Sequence, residues 1–263
     1  MNHSDKKKAI PLVVTAFGTT EKAFSTYGKM DAIFREEFPD NPIHWAYSSR
    51  MVKHALKKKK DLDLKDPIET MAELAGQGHR WVVLQSLHLI CGHEFDRLVS
   101  EREHVDLRAA MGLPLLTSHR DYAEVADVLT GQIPAPGSGT AAVIVGHGTD
   151  HPAWSAYPAF EDMLRQICGP HVYAGVVEGH PDQDVILERV KKDGYEKIVL
   201  IPFMLVAGVH FKEDLTCEED SWQKTFERAG IEVSVVDHGI GELPGMARIF
   251  CRHMADALDV IPV

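Results

Sequence analysis

Short apolar runs alternate along the whole chain with longer stretches in which apolar residues recur every three or four positions. The runs are Pro11 to Phe17, Ile43 to Ser48, Trp81 to Leu87 and a brief one near Leu115 to Thr117. They are followed by Ala141 to Val145, Val172 to Val177, Lys197 to Phe203 and Ile231 to Val236. Where such a run is continuous, as at Ala141 to Val145, it predicts a strand buried on both faces, as a parallel sheet requires. The intervening spacing predicts helices. Phe24, Tyr27, Met30, Phe34 and Phe38 trace one stripe that Pro39 stops, and Ile68, Met71, Ala72 and Ala75 trace another. The second opens well on Asp66-Pro67-Ile68-Glu69, with Asp as N-cap, Pro in the first turn and Glu three residues on. Further helices are predicted around Phe95 to Val99, Asp121 to Leu129, Ala156 to Ile167, from Pro181 through Val190, around Trp222 and Phe226, and from Pro244 to Leu258.

The pattern runs twice. Phe17-Gly18-Thr19 lies over His147-Gly148-Thr149, and Leu89-Ile90-Cys91-Gly92 over Leu205-Val206-Ala207-Gly208. Trp45-Ala46 over Tyr173-Ala174 is a weaker match that sets Arg50 on Glu178. Between the copies, Gln132 to Thr140 is rich in Pro, Gly and Ser and reads as a linker. The chain therefore divides into an α/β half at 1–131, a linker at 132–140, a second α/β half at 141–241 and a terminal helical stretch at 242–263. Each half holds a parallel four-stranded sheet flanked by helices, with the ligand site expected in a cleft between them.

Composition changes this picture little. The chain has 263 residues, 44% hydrophobic and 25% charged, as in an ordinary globular protein. A net charge of −11 argues against a nucleic-acid or anionic-membrane binder. Cys91, Cys168, Cys217 and Cys251 are far apart, which points to free thiols and a cytoplasmic protein. The N-terminal MNHSDKKKAIPLVVTAF has a basic start but only a short apolar part containing Pro11, so it reads as the first strand. Oligomeric state is not legible, and a homo-oligomer stays open.

The chemistry lies where strands end. In open α/β sheets ligands gather at the carboxyl edge, and three strands of the second half run out into a potential metal ligand: His147, Glu178 and His210. The first half offers Phe17, Arg50 and Glu94 instead. Two imidazoles and a carboxylate suit a divalent first-row metal and leave coordination positions open. Neutral imidazole also accepts protons near neutral pH. Insertion of a metal into a tetrapyrrole needs both roles, because the ring loses pyrrole N–H protons as the ion enters. Phe17, Met204 and Leu205 would offer apolar walls to a flat ring.

These residues carry a resemblance. Phe17-Gly18-Thr19, Gln85-Ser86-Leu87-His88, Gly146-His147-Gly148, Val177-Glu178, Met204 to His210, Asp220-Ser221-Trp222 and Gly239-Ile240-Gly241-Glu242 together resemble the anaerobic cobalt chelatase CbiK family, class II tetrapyrrole chelatases acting on sirohydrochlorin in cobalamin synthesis. The resemblance implies two flavodoxin-like domains, with the last helix packing back toward the first half. It implies Co2+ as substrate metal with no tightly bound cofactor, and His147 and His210 as metal ligands and proton acceptors with Glu178 as third ligand. It also implies that Phe17, Gly18, Thr19, Ser86, His88, Met204 and Leu205 contact the macrocycle. Val209 stands where family members often carry Asp, which leaves any role of a carboxylate beside His210 unsupported. Fe2+ insertion for sirohaem and a non-catalytic metal or tetrapyrrole carrier stay open as alternatives. The substrate is itself a polycarboxylate, so an acidic protein would depend on ring burial and short-range hydrogen bonds more than on distant charge.

Overall fold

A computed structural model describes residues 9–19, 24–49, 64–208 and 211–262, with backbone alone for 211–213. Among the described residues eight strands form two wholly parallel sheets. The first comprises β1 (Leu12–Ala16), β2 (Ile43–Tyr47), β3 (Trp81–Ser86) and β4 (Arg108–Gly112) in the order β2-β1-β3-β4. The second comprises β5 (Thr140–Gly148), β6 (Val172–Glu178), β7 (Lys197–Phe203) and β8 (Glu232–Val235) in the order β6-β5-β7-β8. Helices alternate with the strands: α1 (Phe24–Glu37), α2 (Pro67–Gly76), α3 (His93–Glu101), α4 (His119–Leu129), α5 (Ala156–Cys168), α6 (Gln183–Lys192), α7 (Trp222–Arg228) and α8 (Pro244–Asp259). The α/β class with two four-stranded parallel sheets agrees with the reading from sequence. Among the described residues no helix is long and apolar enough to cross a membrane.

Register makes the repeat concrete. Leu12 pairs with Val83 and Ala142 with Val199, so one alignment (12 to 142, 83 to 199) superposes both the central strand and its neighbour. The second strand corrects the sequence alignment by one residue. Val14 pairs with Trp45 while Ile144 pairs with Ala174, so Trp45 matches Ala174 rather than Tyr173. Strand side chains alternate faces, so such a slip would exchange the two faces of the whole strand.

The fourth strand is a second correction. It is Arg108–Gly112, and the apolar Leu115 and Leu116 are buried beyond its end. Leu115 donates its N–H to the carbonyl of His88, so its burial comes from covering the sheet end and not from membership of the ladder. The helix expected from Pro181 starts at Gln183, because the Asp182 carboxylate accepts the Val185 N–H and fixes the cap. The predicted cap at Asp66 is present as a reciprocal box: Asp66 accepts from Glu69 N–H and Glu69 accepts from Asp66 N–H, both at 2.8 Å.

Two compact units emerge. Among the described residues the first gathers 9–19, 28–49, 64–115 and 247–262, and the second gathers 24–27, 116–208 and 211–246. Helix α4 thus groups with the second unit, where Tyr122 meets Phe160 edge to face at 6.1 Å. The core of the first unit includes Val13, Met71, Leu74, Val82, Leu84 and Leu98, all buried. That of the second includes Val143, Val145, Tyr173, Ile186, Leu200, Trp222 and Phe226. In the first unit His253 Nδ1 lies 2.9 Å from the carbonyl of Leu113, which fixes α8 to the loop after β4.

Candidate functional site

The Gly146-His147-Gly148 motif is not a turn after the strand, as its glycines suggest. It is the end of β5 itself. Gly146 pairs with Val176 on one side and Phe203 on the other, and Gly148 pairs with Glu178. The glycines are there because neighbours come too close for a side chain. A Cβ at Gly146 would lie 2.2 Å from Tyr157 Cε1. One at Gly148, where φ is +90°, would lie 1.8 Å from the carbonyl oxygen of Glu178. The Tyr157 hydroxyl accepts the Gly148 N–H at 3.1 Å, and burial raises the pKa of that phenol above its ordinary value.

His147 is therefore carried on hydrogen-bonded strand, exposed at the carboxyl edge, with Nδ1 3.4 Å from the carbonyl of Gly148. Glu178, also exposed, ends the adjacent strand at the level of Gly148, one residue past His147. On the other side of β5, β7 runs out through Met204, buried, and Leu205, half-buried. Their carbonyls accept the N–H groups of Ile240 and Gly241 at 2.9 Å each. That gives Gly239-Ile240-Gly241-Glu242 a role: it clamps the start of the loop that leads toward residue 210. Glu242 in turn accepts a short hydrogen bond from Thr26. His210 and Val209 lie outside the described residues, as do Arg50, Lys53 and the run Lys57 to Lys60. Among the described residues no three His, Cys, Asp or Glu side chains form a metal-holding group.

Two residues of this edge were not singled out from sequence as site residues. The turn after β5 places Trp154 41% exposed, and its indole meets the imidazole of His180, just past β6, at 6.0 Å and 74°. His151 holds that turn by accepting the Ala153 N–H on Nδ1 at 3.1 Å.

The equivalent edge of the first unit is built differently. Phe17 follows β1 and is 46% exposed, Gly18 takes φ +101°, and Thr19 is buried. Ser49 donates its N–H to the Phe17 carbonyl at 3.1 Å. By register Ser49, and not Arg50, occupies the position that Glu178 holds in the second unit. Glu94 does find a cation, but it is Arg97, at 2.7 Å. Arg97 also donates to the Ser48 carbonyl at 3.0 Å, and the Ser48 hydroxyl donates to Glu94 at 3.2 Å. The Glu94–Arg97 pair lies one turn apart on α3, and only the Ser48 contact, which comes from another strand end, is hidden by sequence spacing.

Ser86 is buried at the end of β3, with its hydroxyl 2.8 Å from His88 Nδ1 and accepting the His88 N–H at 3.3 Å. The His88 residue is half-exposed as a whole, yet its Nε2 is dry and has no hydrogen-bond partner among the described residues. Burial, with a smaller contribution from the nearby Arg97 charge, lowers its pKa to about 4. The imidazole is neutral at pH 7.

Comparison with known proteins follows this geometry. Residues 8–259 match the family model described as cobalt chelatase (CbiK). A sirohydrochlorin cobaltochelatase of Salmonella typhimurium is 32% identical over 260 residues, covering 97% of each chain. The sirohydrochlorin cobaltochelatase CbiKC of Nitratidesulfovibrio vulgaris is 31% identical over 261 residues, covering 95% of this chain and 91% of its own. The solved structure of SirB from Bacillus subtilis with Fe3+ shares the fold, with a TM-score of 0.66 at 14% identity over 95% of each chain. The match spans both sheets and all three strand ends discussed above, and the chain belongs to the cobalt chelatase (CbiK) family.

Proposed function

We propose that the chain inserts Co2+ into sirohydrochlorin in cobalamin synthesis, with His147, Glu178 and His210 receiving the ion. The observation that carries the residue assignment is the juxtaposition of His147 and Glu178 on adjacent strand ends, Glu178 level with Gly148. Family membership carries the reaction. The incoming Co2+ binds the imidazoles and the carboxylate, whose negative charge offsets part of the ion's own. As the ring nitrogens take the metal, they release two N–H protons, and the imidazoles of His147 and His210 accept them. A carboxylate of ordinary pKa would be a poorer acceptor near neutral pH. The metal is a substrate, and no tightly held cofactor enters the reaction.

Substrate contact is assigned to Phe17, Gly18, Thr19, Ser86 and His88 in the first unit and to Met204 and Leu205 in the second. The four cysteines are all free, which favours a reducing, cytoplasmic setting. The test is an anaerobic absorbance assay with purified protein, sirohydrochlorin and Co2+. Multiple turnovers that are lost in His147→Ala, Glu178→Gln and His210→Ala support the reading. One-to-one binding without turnover in the unaltered chain would instead make it a carrier, and retained turnover in His210→Ala would remove that residue from the mechanism.

A further inference from the structure

A tryptophan pairs a broad apolar ring with a polar N–H, and such side chains are enriched where a partner is bound, so one standing exposed beside a strand-end site is a candidate contact. Trp154 is one of the few large apolar side chains of the second unit left in this state. It does not belong to a core cluster, and its ring neighbour is the imidazole of His180. The two are brought together by the same backbone contacts that build the metal edge. Gly148 at the end of β5 pairs with Glu178 at the end of β6, and a Cβ on the next residue, Gly179, would lie 3.3 Å from the Thr149 carbonyl. The turn Pro152–Ser155 that carries Trp154 therefore stands over the loop that carries His180.

The pair is amphipathic in a particular way. The indole offers a broad π face, and the imidazole beside it offers ring nitrogens able to hydrogen-bond. A flat conjugated macrocycle with a rim of carboxylates needs both: a surface for the ring and donors for the rim. Neither residue is used by the metal-binding scheme above.

We infer that Trp154 and His180 form a subsite for the tetrapyrrole substrate, with the Trp154 indole against the conjugated ring and His180 donating to a peripheral carboxylate. This rests on the proposed reaction at the same sheet edge but adds residues to it. Trp154 contributes to holding the substrate and not to the proton transfers. Its removal raises Kd and KM and leaves kcat nearly unchanged.

The test titrates the full-length protein with metal-free sirohydrochlorin under anaerobic conditions, reading quenching of tryptophan fluorescence and, separately, the steady-state constants with Co2+. Trp154→Ala is expected to weaken binding and raise KM about ten-fold, on the scale of an aromatic contact with its buried area. Its kcat should stay within about two-fold, and its circular dichroism and Tm should match those of the unaltered chain. Trp154→Phe keeps a ring and should restore Kd to within about two-fold. His180→Ala should weaken binding less, by about three-fold. Equal affinity in Trp154→Ala and the unaltered protein overturns the subsite, and so does a Trp154→Phe variant as weak as the alanine. His147→Ala separates the two readings: it should lose turnover but keep sirohydrochlorin binding and quenching. Retained turnover there would defeat the metal assignment while leaving the Trp154 titration to be judged by itself.

Discussion

The two halves have the same scaffold and different chemistry. The central strand of each sheet pairs with its neighbours in matching register, yet one runs out into Phe17-Gly18-Thr19 and the other into His147-Gly148-Thr149. Where the second unit sets Glu178, the first sets a buried Ser49. Where the second leaves His147 exposed, the first draws Ser48, Glu94 and Arg97 into a closed set of mutual hydrogen bonds. A repeated fold thus supplies equivalent positions filled by different residues, and the cation site proposed above draws on one copy alone. Function resides in the residues grafted onto the fold.

Substitution at equivalent positions is the sharpest way to break this comparison. His147→Ala should lower turnover by about 10²–10⁴-fold, the usual range for a removed acid–base group, with Tm nearly unchanged because the side chain is exposed. Phe17→Ala, at the matching position, should mainly raise KM. Comparable kcat losses in the two variants would mean that both copies share the chemistry.

Next in size is Gly148→Ala. Its φ of +90° and the 1.8 Å approach to the Glu178 carbonyl should cost about 3 kcal/mol, read as a lowered urea midpoint, with loss of activity as β5 and β6 part. An unchanged midpoint would show that the strand ends are not locked as described.

A comparable effect should follow pH. The pKa of His88 falls from 6.5 to about 4 on folding, so between these values the unfolded chain binds the extra proton. The stability it contributes is fully present above about pH 6.5 and is lost as pH falls through about 4, by about 3 kcal/mol at most. His88→Gln should flatten the urea midpoint across this window.

The smallest effect has the opposite sign. Gly28 lies within α1, and nothing stands within 4 Å of a Cβ built there. Gly28→Ala should stabilise by about 0.5–1 kcal/mol. A decrease in Tm would reveal a requirement for glycine that packing does not account for.

Much of this fold was legible because burial on both sheet faces forces continuous apolar runs in the central strands, and among the described residues seven of the eight strands could be located, the edge strand Glu232–Val235 from its alternation instead. The eighth, Arg108–Gly112, is an edge strand of Arg, Ala, Met and Gly, too lacking in apolar contrast to be seen beside Leu115 and Leu116. The misplacement of Arg50 had another cause. A one-residue shift between repeats leaves composition intact, and only hydrogen-bonded register reveals it. His147 and Glu178 could be found because each ends an apolar run. Tyr157, Trp154 and the Arg97 bond to Ser48 could not, since each depends on a partner brought near by folding.

The tyrosine seated in the space left open at Gly146 has a consequence for how the imidazole beside it performs. With Tyr157 pinning the peptide just past His147, and ladder bonds gripping both flanks, a His147 that serves as the ligand proposed above keeps only its own torsions to lose when an ion arrives. Little ordering of main chain remains to be done at that moment. Capture should then be fast and nearly free of backbone rearrangement, and replacing the phenol with phenylalanine should slow it without touching a single ligand atom.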